Sequence, residues 1–281
     1  MIDQATELRK LVLRAMREGP SIHGPPPRLV LLTSGQSGVG VTTLGVNVSV
    51  ALAEQGLRVV LVDGNSMQGG VARLCGLAEP LATADLLGTR RDIHEVMQLG
   101  PAGIQIVPGL RAGNPDLDKG SVSFERLLRQ FAQLGRHADT ILLDLGNGPN
   151  DVLRRFAQAA EDVIVVTSPD SGSVTDAYAR IKLTLSGTSP AVLWLVVNLA
   201  ETEEQAEDVH QRLRQSCERF LGHGIQLLGC VPLDPTIAEA DVRSVPFVIE
   251  CNESIASQAV QRIASALATR GGSLNIPRAV A

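Results

Sequence analysis

Residues 31–56 read LLTSGQSGVGVTTLGVNVSVALAEQG: an apolar run, a glycine-rich turn from Gly35 to Gly40, and a helical pattern. Glycines allow a tight turn with backbone N–H groups facing inward, and a helix that starts at the end of such a turn adds partial positive charge for an anion. The chemistry on offer is the cradling of phosphates. The pattern GxxxxGK[ST] asks for a lysine to reach the terminal phosphates and then a hydroxyl for magnesium. Here the corresponding residues are Gly35, Gly40, Val41 and Thr42. The hydroxyl is present and the cation is missing.

The surrounding pattern predicts what must hold that loop. Apolar, β-rich runs recur at residues 29–32, 59–62, 104–107, 141–143, 163–167, 192–197 and 225–231, several of them apolar at every position. Strands buried on both faces read this way, so the expectation is a mostly parallel sheet covered by helices. Helical patterns fall between them at 46–54, 124–134, 174–185, 203–220 and 254–267. The fold class is α/β, a doubly wound three-layer sheet. Ahead of it, residues 1–18 place Leu8, Leu11, Val12 and Ala15 on one face of a short helix, and the proline-rich stretch 19–27 is a connector that no helix can traverse. A single domain over 28–269 and a tail over 270–281 complete the expected organisation.

Composition excludes several function classes. Five Phe, one Trp and one Tyr leave no stacking platform for single-stranded nucleic acid, and a net charge of −5 gives no general attraction to DNA. No nucleic-acid partner is expected. Cys75, Cys217, Cys230 and Cys251 show no CxxC spacing and read as buried small apolar residues, while the five histidines lack paired-ligand spacing. The first residues mix acids and bases, unlike a secretory signal, and no apolar stretch is long enough to span a bilayer. A cytoplasmic protein is expected. The segment 271–281, with two glycines, Pro277 and Arg278 as its sole cation, cannot build a basic amphipathic face, so strong autonomous membrane binding is not expected. Any attachment at the inner face of the membrane would be peripheral, through partners.

Three separated stretches carry a resemblance to the MinD/ParA group of deviant P-loop ATPases, and within it to the FlhG (YlxH, FleN) branch of flagellar-number regulators. DQATELR at residues 3–9 resembles that branch's DQAxxLR element. VVTSPDSGSVTDAYARIK at 165–182 is similar to its VTTPEPTAITDAYALIK run, and GCVPLDPTIAEADVRSVPFV at 229–248 to its G-x-VPxDP stretch. The resemblance spans essentially the whole chain. The family loop reads G-K-G-G-x-G-K-T-[ST], which lays nucleotide-binding roles on Gly35, Gln36, Ser37, Gly38, Val39, Gly40, Val41, Thr42 and Thr43. Both of its lysines are replaced, by Gln36 and Val41. The family's D-x-D becomes Asp63, Gly64, Asn65, so an amide stands at the catalytic carboxylate. Its DTGAG becomes Asp144, Leu145, Gly146, Asn147, Gly148, which leaves Thr42 and Asp144 as the implied magnesium corner. Asn198, Pro232 and Asp234 fall where the family contacts adenine, and Leu199 takes the place of its arginine.

Magnitudes set the functional expectation. A charge-assisted hydrogen bond to phosphate contributes roughly 1.5 to 3 kcal/mol, so the Val41 replacement alone weakens nucleotide binding about ten- to a hundredfold. Loss of a cation delivered onto the transferring phosphoryl group costs on the order of 10³ to 10⁵ in rate. ATP or ADP with magnesium is therefore expected to bind weakly or not at all, and no catalytic set is intact. The resemblance implies contact partners instead: an FlhF-type signal-recognition GTPase stimulated through Asp3, Gln4, Ala5, Leu8 and Arg9, flagellar basal-body proteins, and a second copy of the chain. The competing expectation is an active ATPase switch that dimerises on ATP with non-standard cations.

Overall fold

The structure is a computed structural model that describes residues 25–65, 70–77, 92–109, 121–186, 191–237 and 243–270. The expected N-terminal helix, most of the connector and the tail beyond Arg270 lie outside the described residues. The chain enters the domain at β1 (Arg28–Ser34) and passes through the loop into α1 (Val41–Glu54), then β2 (Val59–Asp63) and the short α2 (Gly70–Leu74). It continues through β3 (Gln98–Leu99), β4 (Gln105–Val107), α3 (Ser121–Gln133), β5 (Thr140–Asp144), α4 (Asn150–Ala159) and β6 (Asp162–Thr167). The last part comprises α5 (Ser171–Thr184), β7 (Val192–Ala200), α6 (Glu203–Leu221), β8 (Gln226–Pro232), α7 (Phe247–Glu250) and α8 (Ile255–Arg270).

The strands form one sheet in the order β3-β4-β2-β5-β1-β6-β7-β8, parallel except for β3. Alternation along β1 shows the layers: Leu29 and Leu31 join a core with α3, α4, α5 and α6, while Val30 and Leu32 join a second core with α1, α2, α7 and α8. Because β1 is central, the loops leaving the carboxyl ends of β1, β2 and β5 converge at one edge, where open α/β sheets bind ligands.

Three helices and one strand were not in the sequence expectation. α2 and α7 are too short to show a period, β3 has two residues, and α4 begins directly after a glycine-rich loop that reads as irregular. α8 packs Ala256, Ala259, Val260, Ile263, Ala264 and Leu267 into the second core beside α1, which fits core packing and not an anchor. Among the described residues no helix is long and apolar enough to cross a membrane. Cys75 and Cys217 are buried as expected, and burial pushes their thiols up to about 12 and about 11. Cys230 and Cys251 are only half-buried, a correction that follows from the position of β8 at the open edge of the sheet and of Cys251 just past α7.

Candidate functional site

The loop between β1 and α1 bends through two positive-φ glycines, Gly38 and Gly40, both at φ 86°. Ser34 Oγ donates to the Gln36 carbonyl at 2.7 Å and starts the turn. Gly40 is the N-cap of α1 and brings no side-chain acceptor, so the first amides of the helix are left for an anion. Gly35 is closed in by backbone, and Gly40 combines its positive φ with a close side chain. A Cβ on Gly35 would sit 2.2 Å from the backbone carbonyl carbon of Asp176 in α5, and one on Gly40 would sit 2.4 Å from Nδ2 of Asn198. Ser37 and Gly38 are exposed at the tip, Gln36 is half-buried, and Val39 and Val41 turn into the second core. The replaced lysine position is thus an apolar packing residue.

Asp63 and Asp144 end neighbouring strands and are direct register partners. Burial pushes the Asp63 carboxyl up, opposed by the backbone amides of Asn65 and Val71. Asp144 is fully buried; its Oδ1 accepts from the Gly146 amide at 2.9 Å, and its Oδ2 has no hydrogen-bond partner. Burial pushes Asp144 up to about 6, the Thr42 hydroxyl facing it works in the opposite direction, and the charge of Asp63 adds to the rise. Asn65, the amide expected in place of the family's catalytic carboxylate, lies against Gly146: a Cβ there would meet its Nδ2 at 2.5 Å.

Asn198, Pro232 and Asp234 also gather at this edge, at and just past the ends of β7 and β8. Two of them are occupied by their own chain. Asn198 Nδ2 donates to the Val39 carbonyl at 2.8 Å, and Asp234 Oδ1 accepts from the Thr236 amide and hydroxyl at 3.0 and 2.7 Å. Burial raises the Asp234 pKa, but these bonds together with the amide of Ala256 hold it below the usual carboxylate range. Leu199 adopts φ 60°, unusual for a branched residue, within an irregular β7–β8 register. One residue that sequence reasoning passed over is Arg180. It is buried on α5 and reaches the loop after Asp144; its signal was an arginine on the helix face that also carries Val174, Ala177 and Ile181.

A glycine-rich turn at a parallel sheet's carboxyl edge, followed by a helix and faced by paired aspartates, matches a known family. Residues 27–268 match the ParA family, described as NUBPL iron-transfer P-loop NTPase. The chain belongs to the ParA family of P-loop NTPases. This ParA-family chain is 29% identical over 225 residues to the antiactivator FleN of Pseudomonas aeruginosa, covering 80% of each protein. It is also 27% identical to the iron-sulfur cluster carrier protein of Mycobacterium tuberculosis, covering 95% of this chain and 72% of that relative. Its fold is similar to that of MinD from Pyrococcus horikoshii in complex with Mg-ADP, with a TM-score of 0.70, 24% identity, and coverage of 88% and 98%. MinD in the MinC:MinD complex of Aquifex aeolicus gives a TM-score of 0.69 at 24% identity, covering 89% and 99%.

The residues present fit a magnesium nucleotide at one corner and not at the other. Asp144 Oδ2, which no hydrogen bond uses, and the Thr42 hydroxyl facing that carboxyl group are hard oxygen donors of the kind magnesium takes. Magnesium held by Thr42 and Asp144 would neutralise phosphate charge there. At the positions of the two lysines the structure offers the Gln36 amide and a buried isopropyl group. Lys182 gives no rescue, because it sits near the far end of α5, roughly 16 Å along the helix from its start.

Proposed function

We propose that the chain is a FlhG-like regulator of flagellar number or placement that acts by protein contact, with ATP hydrolysis lost or severely impaired. The observation that carries this reading is the split within the loop: the Thr42–Asp144 corner keeps an unsatisfied buried carboxylate oxygen, while both ammonium positions are filled by Gln36 and Val41. Similarity to the antiactivator FleN supports the regulatory setting. Gly35, Gln36, Ser37, Gly38, Val39, Gly40, Val41, Thr42 and Thr43 would surround any phosphate that binds, with Asp63 and Asp144 below. The contact element is the DQATELR segment, acting on an FlhF-type GTPase in the cytoplasm or, through partners, at the inner membrane face.

The iron-sulfur carrier relatives suggest another activity, which the thiols do not support. Cys75 follows α2, Cys217 lies in α6, Cys230 in β8 and Cys251 after α7, and the first two are buried with strongly raised pKa values. Thiolates are what ligate a cluster. A second reading is an ATPase switch that pairs two copies around ATP, favoured by the Thr42 hydroxyl facing the Asp144 carboxyl group.

Two assays separate the readings. Full-length protein is expected to accelerate GTP hydrolysis by an FlhF homologue from the same organism, Gln4→Ala is expected to weaken that acceleration, and ATP turnover is expected to stay near background. Absence of stimulation removes the partner role. Turnover that Asp144→Ala abolishes would establish the switch instead.

A further inference from the structure

We propose that Arg180 is a positioning residue that locks the loop after Asp144 in one conformation without nucleotide. The inference deepens the contact-controller reading and rests on it for its functional meaning.

Side chains on a helix lean toward its N-terminus, so the Arg180 guanidinium climbs along α5 toward the carboxyl edge of the sheet. There Nε donates to Thr33 Oγ1 at 2.8 Å, Nη2 to the carbonyls of Gly148 at 2.9 Å and Gly146 at 3.3 Å, and Nη1 to Asn150 Oδ1 at 3.3 Å. Each of these acceptors is neutral. The arginine is buried, and burial lowers its pKa only to about 10, so it is a cation held by neutral dipoles. Burying such a charge is costly unless its donors are satisfied, and four of its five are spent on residues that frame a single loop.

The loop is fastened from other sides as well. The Gly146 carbonyl also accepts from the Ser34 amide at 2.9 Å and from Thr33 Oγ1 at 2.8 Å, and the Leu145 amide donates to Leu32 at 3.0 Å. One turn earlier on α5, the backbone of Asp176 is pressed against Gly35. A single helix therefore braces the phosphate loop and clamps the Asp144 loop. In nucleotide switches such loops are ordered by phosphate and its metal ion and released afterwards. Here the ordering cation belongs to the chain.

Amide hydrogen exchange of residues 145–148 in the full-length protein tests this. Without nucleotide, Arg180→Met is expected to exchange at least about tenfold faster at those amides while β6 amides are unchanged, and Arg180→Lys, which keeps charge but reaches fewer acceptors, is expected to fall between. Wild-type exchange is expected to change less than about twofold on adding millimolar Mg-ATP. A Met variant as protected as wild type overturns the proposal, as does a wild-type loop that Mg-ATP protects tenfold. If the Met variant does not fold, a Lys variant exchanging at the wild-type rate overturns it. Brisk ATP turnover or absent GTPase stimulation would sink the controller reading without altering these rates. A loop equally open in wild type and variant sinks the clamp alone.

Discussion

The side-chain amide of Asn198, at the end of β7, donates a 2.8 Å hydrogen bond to the backbone carbonyl of Val39, and the next residue, Gly40, leaves no room for a Cβ beside that amide. An arm expected to reach a base is thus also a pin that fixes the phosphate loop. Gly40→Ala combines a clash with a positive-φ penalty and is expected to cost about 2 to 4 kcal/mol. Asn198→Ala removes one buried hydrogen bond and is expected to cost about 1 to 3 kcal/mol. Because the clash is with the Asn198 side chain, the double variant should be more stable than the sum of the two by about 1 kcal/mol. Urea denaturation of the four proteins measures this, and strict additivity would show that the two residues are not in contact.

At the opposite edge of the sheet, Asp162 joins three elements. Its Oδ2 accepts from Arg28 Nε at 2.7 Å, its Oδ1 from Trp194 Nε1 at 2.8 Å, and Arg28 Nη1 reaches the Leu267 carbonyl in α8 at 2.5 Å. Removing one member of a nearly buried pair leaves the other charge uncompensated, so Asp162→Ala is expected to destabilise by about 3 kcal/mol. Trp194 is the sole tryptophan, so its fluorescence reads the site directly. Loss of the indole hydrogen bond should change the emission of the folded variant, and an unchanged spectrum with unchanged stability would contradict the assignment.

These two clusters show what the sequence could convey. The parallel strands were legible because β1, β2, β5 and β6 each carry an unbroken run of three or four apolar residues, as burial on both faces requires. The phosphate loop was legible because glycine spacing is local. Strand order was not, since nothing in β5 itself says that it inserts between β1 and β2. The pin at Asn198 and the clamp at Arg180 bridge 159 and 147 residues to their loop and strand partners, and pairings at that range leave no periodic trace. The charge of Asp144 was legible, whereas its orphaned oxygen depended on how deeply β5 is buried.

Asp144 makes the protein's stability depend on pH in an uncommon sense. Its folded pKa of about 6 lies above the ordinary carboxylate value, so the folded state holds a proton that the unfolded chain has released. Stability from this group is full below about pH 4 and is lost as pH rises through about 6. The difference amounts to about 3 kcal/mol. Asp144→Asn cannot ionise, so its advantage over wild type should grow between pH 4 and pH 7 and then level off. Thermal unfolding across that range in nucleotide-free buffer checks it, and an advantage independent of pH would place the titration elsewhere. Magnesium bound at Thr42 and Asp144 should erase the advantage, because it stabilises the ionised carboxylate.

Val41 tests whether the pocket is still shaped for phosphate. It is the first residue of α1 and is buried with Val39 and Leu44, so a lysine there could lay its aliphatic stem along the same apolar surface and extend its ammonium toward the loop amides. Val41→Lys is expected to tighten Mg-ATP binding about ten- to a hundredfold in isothermal titration, the worth of one charge-assisted contact. Turnover should hardly rise, because Gln36 and Asn65 still lack the groups that act on the transferring phosphoryl and the attacking water. The triple variant Gln36→Lys, Val41→Lys, Asn65→Asp is expected to exceed the single one by on the order of 10³ in rate. If the single variant binds Mg-ATP no better than wild type, the Gly35 to Gly40 turn does not cradle phosphate, and the Thr42–Asp144 corner has some other use.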